Sequence, residues 1–190
     1  MSQLVLDNGD IVGVTWLSVQ PNTVVQIKTL AKEGYTAIQL GAGQAKKSTK
    51  PRLGHLQKLD AKILKEIKVD DPSLYQRGDK VDVSVFQVGD LLTVTATSKG
   101  KGFAGTIRRH NFKSGPGGHG HDHHRQPGSI GAMGMARVNP GHRMSGHLGD
   151  DQVTMKNLRV VAVDQELARL AVRGSIPGNN KNWILIKKHA

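Results

Sequence analysis

DLLTVTATSKGKGFAGTIRRHNFKSGPGGHGHDHHRQPGSIG, residues 90–131, changes character at Ser98. Up to Thr97 it alternates apolar and β-branched residues, as a half-buried strand does. From Ser98 to His147 that periodicity stops. These residues hold 12 of the 23 glycines, 7 of the 9 histidines and 3 of the 7 prolines. They also carry eight Lys and Arg against one acid, Asp122, which places a net +7 of the chain's +12 in this stretch. A segment so poor in periodic apolar residues cannot bury enough surface to offset its own ordering entropy. It is also far longer than the roughly 12 to 15 residues beyond which loops in compact domains are uncommon and mostly functional.

The flanks read as strands. LVLDNGDIVGVTWLSV, from Leu4, sets Asn8-Gly9 between two apolar runs, a hairpin signal because both turn residues tolerate positive φ. NTVVQIKTL and YTAIQLG follow as strands, HLQKLDA as a short helical turn, and ILKEIKV fits either helix or strand. DKVDVSVF and DLLTVTATS read as strands divided at Gly89-Asp90. After the excursion TMKNLRVVAVD, LARLAVRGSI and WILIKK resume at short spacing. The expectation is a mainly β protein, an all-β barrel or sandwich of residues 1–97 and 148–190, with the basic glycine-rich extension 98–147 inserted between strands.

With 190 residues the chain has room for one ordinary core and an appendage. Cysteine is absent, which excludes disulfides and thiolate metal sites. No apolar run reaches 18 residues, and the amino terminus lacks the basic start and apolar stretch of a secretory signal, so an intracellular, soluble protein with no membrane partner is expected. A pI near 10.1 implies a polyanion, and nucleic acid fits better than a lipid surface because no basic amphipathic helix is present.

Other chemistries fit the excursion less well. Gly100, Gly102 and Gly105 satisfy G-x-G-x-x-G after a strand, but the acid required about 20 residues on would be Asp122, among glycines and histidines, so no dinucleotide site is expected. His119, His121, His123 and His124 could attract a transition metal, yet a fixed carboxylate or further ligand is missing; no metal and no cofactor are expected. Ser98, Ser114, Ser129 and Ser145 lie in no nucleophile elbow, so neither an enzyme nor a small-molecule substrate is expected. What remains is RNA of fixed shape, gripped by cations at intervals, with Phe103, Phe112, Met133, Met135 and Met144 as sparse apolar contacts.

The same residues carry a resemblance. TSKGKGFAGTIRRHNF, His119-Gly120, HRQPGSIG (124–131), MSGHLG (144–149), RGSIPG (173–178) and VVQIKTLAKEGYTAIQLGAG resemble the universal large-subunit ribosomal protein three family in its bacterial form. The resemblance implies a β-barrel globular domain and a structural constituent of the large ribosomal subunit, cytoplasmic within the ribosome. It would bind large-subunit (23S-type) ribosomal RNA, support early assembly, and have large-subunit proteins fourteen and nineteen as neighbours. It implies a loop reaching toward the peptidyl-transferase centre. The stretch 128–143 matches the deepest part, with Gly128, Ser129, Ile130, Gly131, Ala132 and Met133 at the tip. Candidate RNA contacts are Lys99, Lys101, Arg108, Arg109, Lys113, His119, His124, Arg125, Arg137, His142 and Arg143. The chain departs from the family's pattern by starting at MSQLVLDNG rather than a glycine- and lysine-rich strand with G-M-T, and by being shorter between about 44 and 80. It also offers no glutamine for methylation between Ala132 and Ala136, and has Pro140, Gly141 and His142 where relatives have lysines. A free RNA-binding chaperone or regulator using the same arm is the alternative. A histidine-site metalloprotein is the enzyme alternative.

Overall fold

The computed structural model describes residues 1–188 apart from Asp7 and Lys58. The chain divides into two compact units. One comprises Met1–Thr93, Lys156–Ser175 and Lys187–Ala190, the other Val94–Met155 and Ile176–Ile186. In chain order the strands are β1 Ser2–Val5, β2 Ile11–Ser18, β3 Asn22–Lys28, β4 Ala37–Ala42, β5 Ile63–Lys68, β6 Lys80–Val81, β7 Leu91–Thr97, β8 Phe103–Ala104, β9 Gly146–His147, β10 Gln152–Asp164, β11 Arg169–Arg173 and β12 Ile184–Lys188. Among the described residues three short α-helices punctuate them: α1 Leu30–Glu33, α2 Lys50–Leu56 and α3 Thr106–His110. The protein is therefore mainly β. The expected closed barrel is not what the strand pairs make. Among the described residues they form open sheets in the orders β1-β2-β11-β10-β7-β12, β5-β4-β3-β6 and β8-β9, with the short β1 and β12 ending the largest without pairing to each other. No described helix is long and apolar enough to cross a membrane.

Each strand follows from where its side chains can go. In β7, Leu92, Val94 and Ala96 are buried and alternate with threonines, the period-2 pattern of a one-sided strand. In β11 three successive residues, Leu170, Ala171 and Val172, are buried, and Leu170 pairs with Leu17 of β2. The β1–β2 hairpin forms as the sequence indicates, but positive φ falls on Gly9 (82°), whose N–H donates to the Leu6 carbonyl. Asn8 acts instead through its side chain, accepting the Asp10 N–H at 3.1 Å. Strand β3 contains a bulge between Val24 and Gln26, which turns two adjacent valines, Val24 and Val25, into the core together.

The ambiguous ILKEIKV is a strand, because β5 has six residue partners along β4. The expected helical turn at HLQKLDA lies earlier: α2 starts at Lys50, with Pro51 in its first turn, and ends at Leu56. DKVDVSVF is only briefly a strand. Strand β6 pairs with Asn22 and Thr23, where β3 itself begins, so the ladder has no partner beyond Val81. The chain then folds into a 3₁₀ turn, Val83–Val85, that buries Val83 without one.

A polar cluster joins β3 to β5 through Tyr35, which precedes β4. Lys28 Nζ lies 2.6 Å from Glu66 Oε1 and donates to the Tyr35 hydroxyl at 2.6 Å, and that hydroxyl donates to Glu66 Oε2 at 2.9 Å. These bonds, that from Lys28 first, hold the Glu66 carboxyl below its ordinary value of 4.5. A carboxyl lowered in the folded state contributes stability above its unfolded value, and that stability is lost as pH falls through the lower folded value. The melting temperature of the wild type should therefore drop more steeply on acidification below pH 4.5 than that of Glu66→Gln. Parallel curves would show that the folded protein does not hold the Glu66 carboxyl below its ordinary value.

Candidate nucleic-acid interface

The basic segment is closed at its base and open along its length. At the base, the Ser98 N–H donates to the Asp151 carbonyl at 2.8 Å, the Lys101 N–H to that of Leu148 at 2.8 Å, and the Leu148 N–H to that of Gly102 at 2.9 Å. Strands β8 and β9 continue this closure, Phe103 opposite His147 and Ala104 opposite Gly146. Ala104 and Thr106 are buried there. Helix α3 follows at once and stops after five residues, with Asn111 in the left-handed region (φ 58°). Arg109 Nη1 then donates to the Met144 carbonyl at 2.8 Å, and His110 Nε2 lies 3.0 Å from the same oxygen, joining the outgoing chain to the returning one.

Beyond this clasp every residue from 116 to 145 is exposed, and none belongs to a helix or strand. Local bonds still shape the stretch. The Gly115 N–H donates to the His124 carbonyl at 3.1 Å, and His124 Nδ1 donates to the Pro116 carbonyl at 2.7 Å. The resulting loop brings the His121 and His123 rings edge to face, 5.8 Å apart, with His124 6.5 Å from His121. Among the described residues no three His, Asp or Glu side chains are arranged to hold a metal ion. Further out, the Ser129 hydroxyl donates to the Gly131 carbonyl at 3.0 Å, and Met133 and Met135 stand in solvent.

Lys99, Lys101, Arg108, Lys113, His119, His124, Arg125, Arg137, His142 and Arg143 are all exposed, as are the six residues 128–133. Among the described residues the ion pairs are Lys28–Glu66, Arg169–Asp164 and Lys188–Asp90, so the cations of the segment meet no carboxylate. Arg109 differs: it is half-buried and committed to a backbone carbonyl, so it holds the segment's shape. The glycine pattern 100-102-105 runs into α3, but β8 is antiparallel to β9 and, among the described residues, no parallel strand follows to complete a dinucleotide-binding unit. Helix α3 was not expected from the sequence, although Gly105 before it, basic residues in its last turn and Asn111 after it are ordinary helix-end signals.

Fold and segment together define a mainly β protein with a long exposed cationic stretch whose cations form no ion pair among the described residues. The family described as Ribosomal protein L3 matches residues 23–173. The chain is similar to Large ribosomal subunit protein uL3 of Pelotomaculum thermopropionicum, with 46% identity over 197 residues, covering 100% of this chain and 93% of that protein. It is similar to the uL3 of Heliobacterium modesticaldum, with 45% identity over 192 residues, covering 98% and 91%. To the uL3c of Guillardia theta it is 46% identical over 193 residues, covering 98% and 95%. The chain belongs to the ribosomal protein L3 family, and its type is bacterial, as the resemblance implied.

Proposed function

We propose that this protein is a structural constituent of the large ribosomal subunit, in which residues 98–147 bind ribosomal RNA while 1–97 and 148–190 form the globular part. The observation that carries the proposal is the run of exposed cations without carboxylate partners on an arm clasped at its base. Such an arm loses little intramolecular bonding when it meets a polyanion, and each cation it places at a phosphate releases condensed counterions. Exposed Ile130, Met133 and Met135 supply apolar contact for unstacked bases, on the stretch that would lie toward the peptidyl-transferase centre. Peptide transfer itself would belong to the RNA; the protein supplies counter-charge and shape, and enters early in assembly beside large-subunit proteins fourteen and nineteen.

Sedimentation of a lysate through sucrose, first in moderate and then in high salt, tests this. The protein is expected to travel with the large subunit in both, because an arm enclosed by folded RNA is held by shape as well as by charge. Recovery at the top of both gradients would favour a free RNA-binding chaperone instead.

A further inference from the structure

The arm does not hold all of the excess charge. Residues 46–68 carry eight lysines and arginines against Asp60 and Glu66, a net +6, and Glu66 is already paired with Lys28. With the +7 of 98–147, this leaves the rest of the chain at −1. Lys46, Lys47, Lys50, Lys62, Lys65 and Lys68 are exposed, and among the described residues none of them forms an ion pair.

The structure draws these residues onto one scaffold. The Lys62 N–H donates to the Ala42 and Gly43 carbonyls, each at 2.9 Å, and the Ala45 N–H donates to Asp60 Oδ1 at 3.1 Å, tying the loop before α2 to the approach to β5. Arg52 of α2 reaches the same approach, with Nη2 donating to the Ala61 carbonyl at 2.8 Å and the Lys62 carbonyl at 2.5 Å. Beneath them Leu56, Ala61 and Val25 are buried together with Leu64 packed against them. Arg52 is thus a staple, and the lysines around it are left to solvent. Strand β5 is the edge of its sheet, so Lys65 and Lys68 stand on a border with no neighbouring strand among the described residues.

We infer that the loop 43–49, α2 and β5 form a second RNA-binding surface, separate from the arm, which takes the sugar-phosphate backbone. This inference rests on the RNA reading of the arm. A preformed cluster of unpaired lysines on rigid backbone matches repeated phosphates, and the loop, helix and strand that carry it hold no Phe, Tyr or Trp on which bases could stack. Its binding is sequence-independent and positions the globular part, while the arm supplies the shape-specific contact.

The experiment compares full-length wild type with Lys46→Gln/Lys47→Gln/Lys62→Gln/Lys65→Gln, and with Arg125→Ala/Arg137→Ala in the arm. Binding to a 23S-type ribosomal RNA transcript is measured as a function of salt. With four fewer phosphates neutralised, the slope of log affinity against log salt should fall by about 3.6, and binding should weaken roughly tenfold or more at ~0.15 M salt. Combining both sets should add their losses. Where the quadruple variant melts early, Lys46→Gln/Lys47→Gln in the loop is expected to show about half the change in slope. A folded variant with wild-type slope and affinity overturns this surface, and self-association of that variant would identify the lysines as guards of the β5 edge. A wild type without salt-dependent affinity for the transcript would overturn the RNA reading of the arm and this inference together.

Discussion

Gly149→Ala is expected to cost about 2 to 5 kcal/mol of stability, the sum of placing a side chain in the left-handed region and of overpacking. Gly149 has φ +78°, and a Cβ there would run into the Lys99 carbonyl, whose carbon would lie 3.0 Å away, and against Gly100 Cα at 3.1 Å. Neither side has room to yield. The next residue back, Leu148, is bonded in both directions, donating to Gly102 and accepting from Lys101. Gly134, at φ +99° with nothing near its Cβ position, is the control: Gly134→Ala meets only the conformational cost. Denaturant unfolding of the two variants separates the terms. Against a total stability of about 5 to 15 kcal/mol typical of domains, the first loss is severe and the second mild. Equal, small losses would mean that the base of the arm is pliant. Limited proteolysis should agree, with cleavage inside 98–147 accelerated in Gly149→Ala.

These close approaches mark the limit of what the sequence makes legible. Strand β7 is readable because Leu92, Val94 and Ala96 keep strict alternation with threonine, and a single local rule suffices. Strand β3 is legible as a strand, but its bulge is not, since Val24-Val25 looks the same whether one or both valines point inward. DKVDVSVF has the composition of a strand and fails as one because its partner ends, which is a property of the sheet and not of the segment. The arm's charge can be counted directly. Its clasp cannot be foreseen, because Arg109 and Met144, or Gly149 and Lys99, meet across a long excursion whose return path no local pattern specifies. The lysines of 46–68 are equally visible as letters. They are interspersed with the apolar residues of α2 and β5, however, and only the Arg52 staple and the Lys62 backbone bonds reveal that they share a scaffold.

Arg125→Ala/Arg137→Ala should lower the yield of assembled large subunits and reduce the salt slope of RNA binding by about 1.8, near 0.9 for each phosphate no longer neutralised. Both arginines lie in the fully exposed stretch, and neither meets a carboxylate among the described residues. Removing them therefore breaks no ion pair within the protein, and its melting temperature should stay where it is. That separation distinguishes a binding role from a structural one: the stability of the free chain is unmoved while its affinity falls. Arg125→Lys/Arg137→Lys sharpens the test. Lysine keeps the charge, so the slope should remain at the wild-type value. It loses the planar fork that grips a phosphate with two parallel bonds, so affinity should still drop at every salt concentration. A lysine variant with wild-type affinity would reduce the arm to a diffuse cationic tail. Wild-type yield and slope in the alanine variant would remove these two residues from the RNA interface altogether.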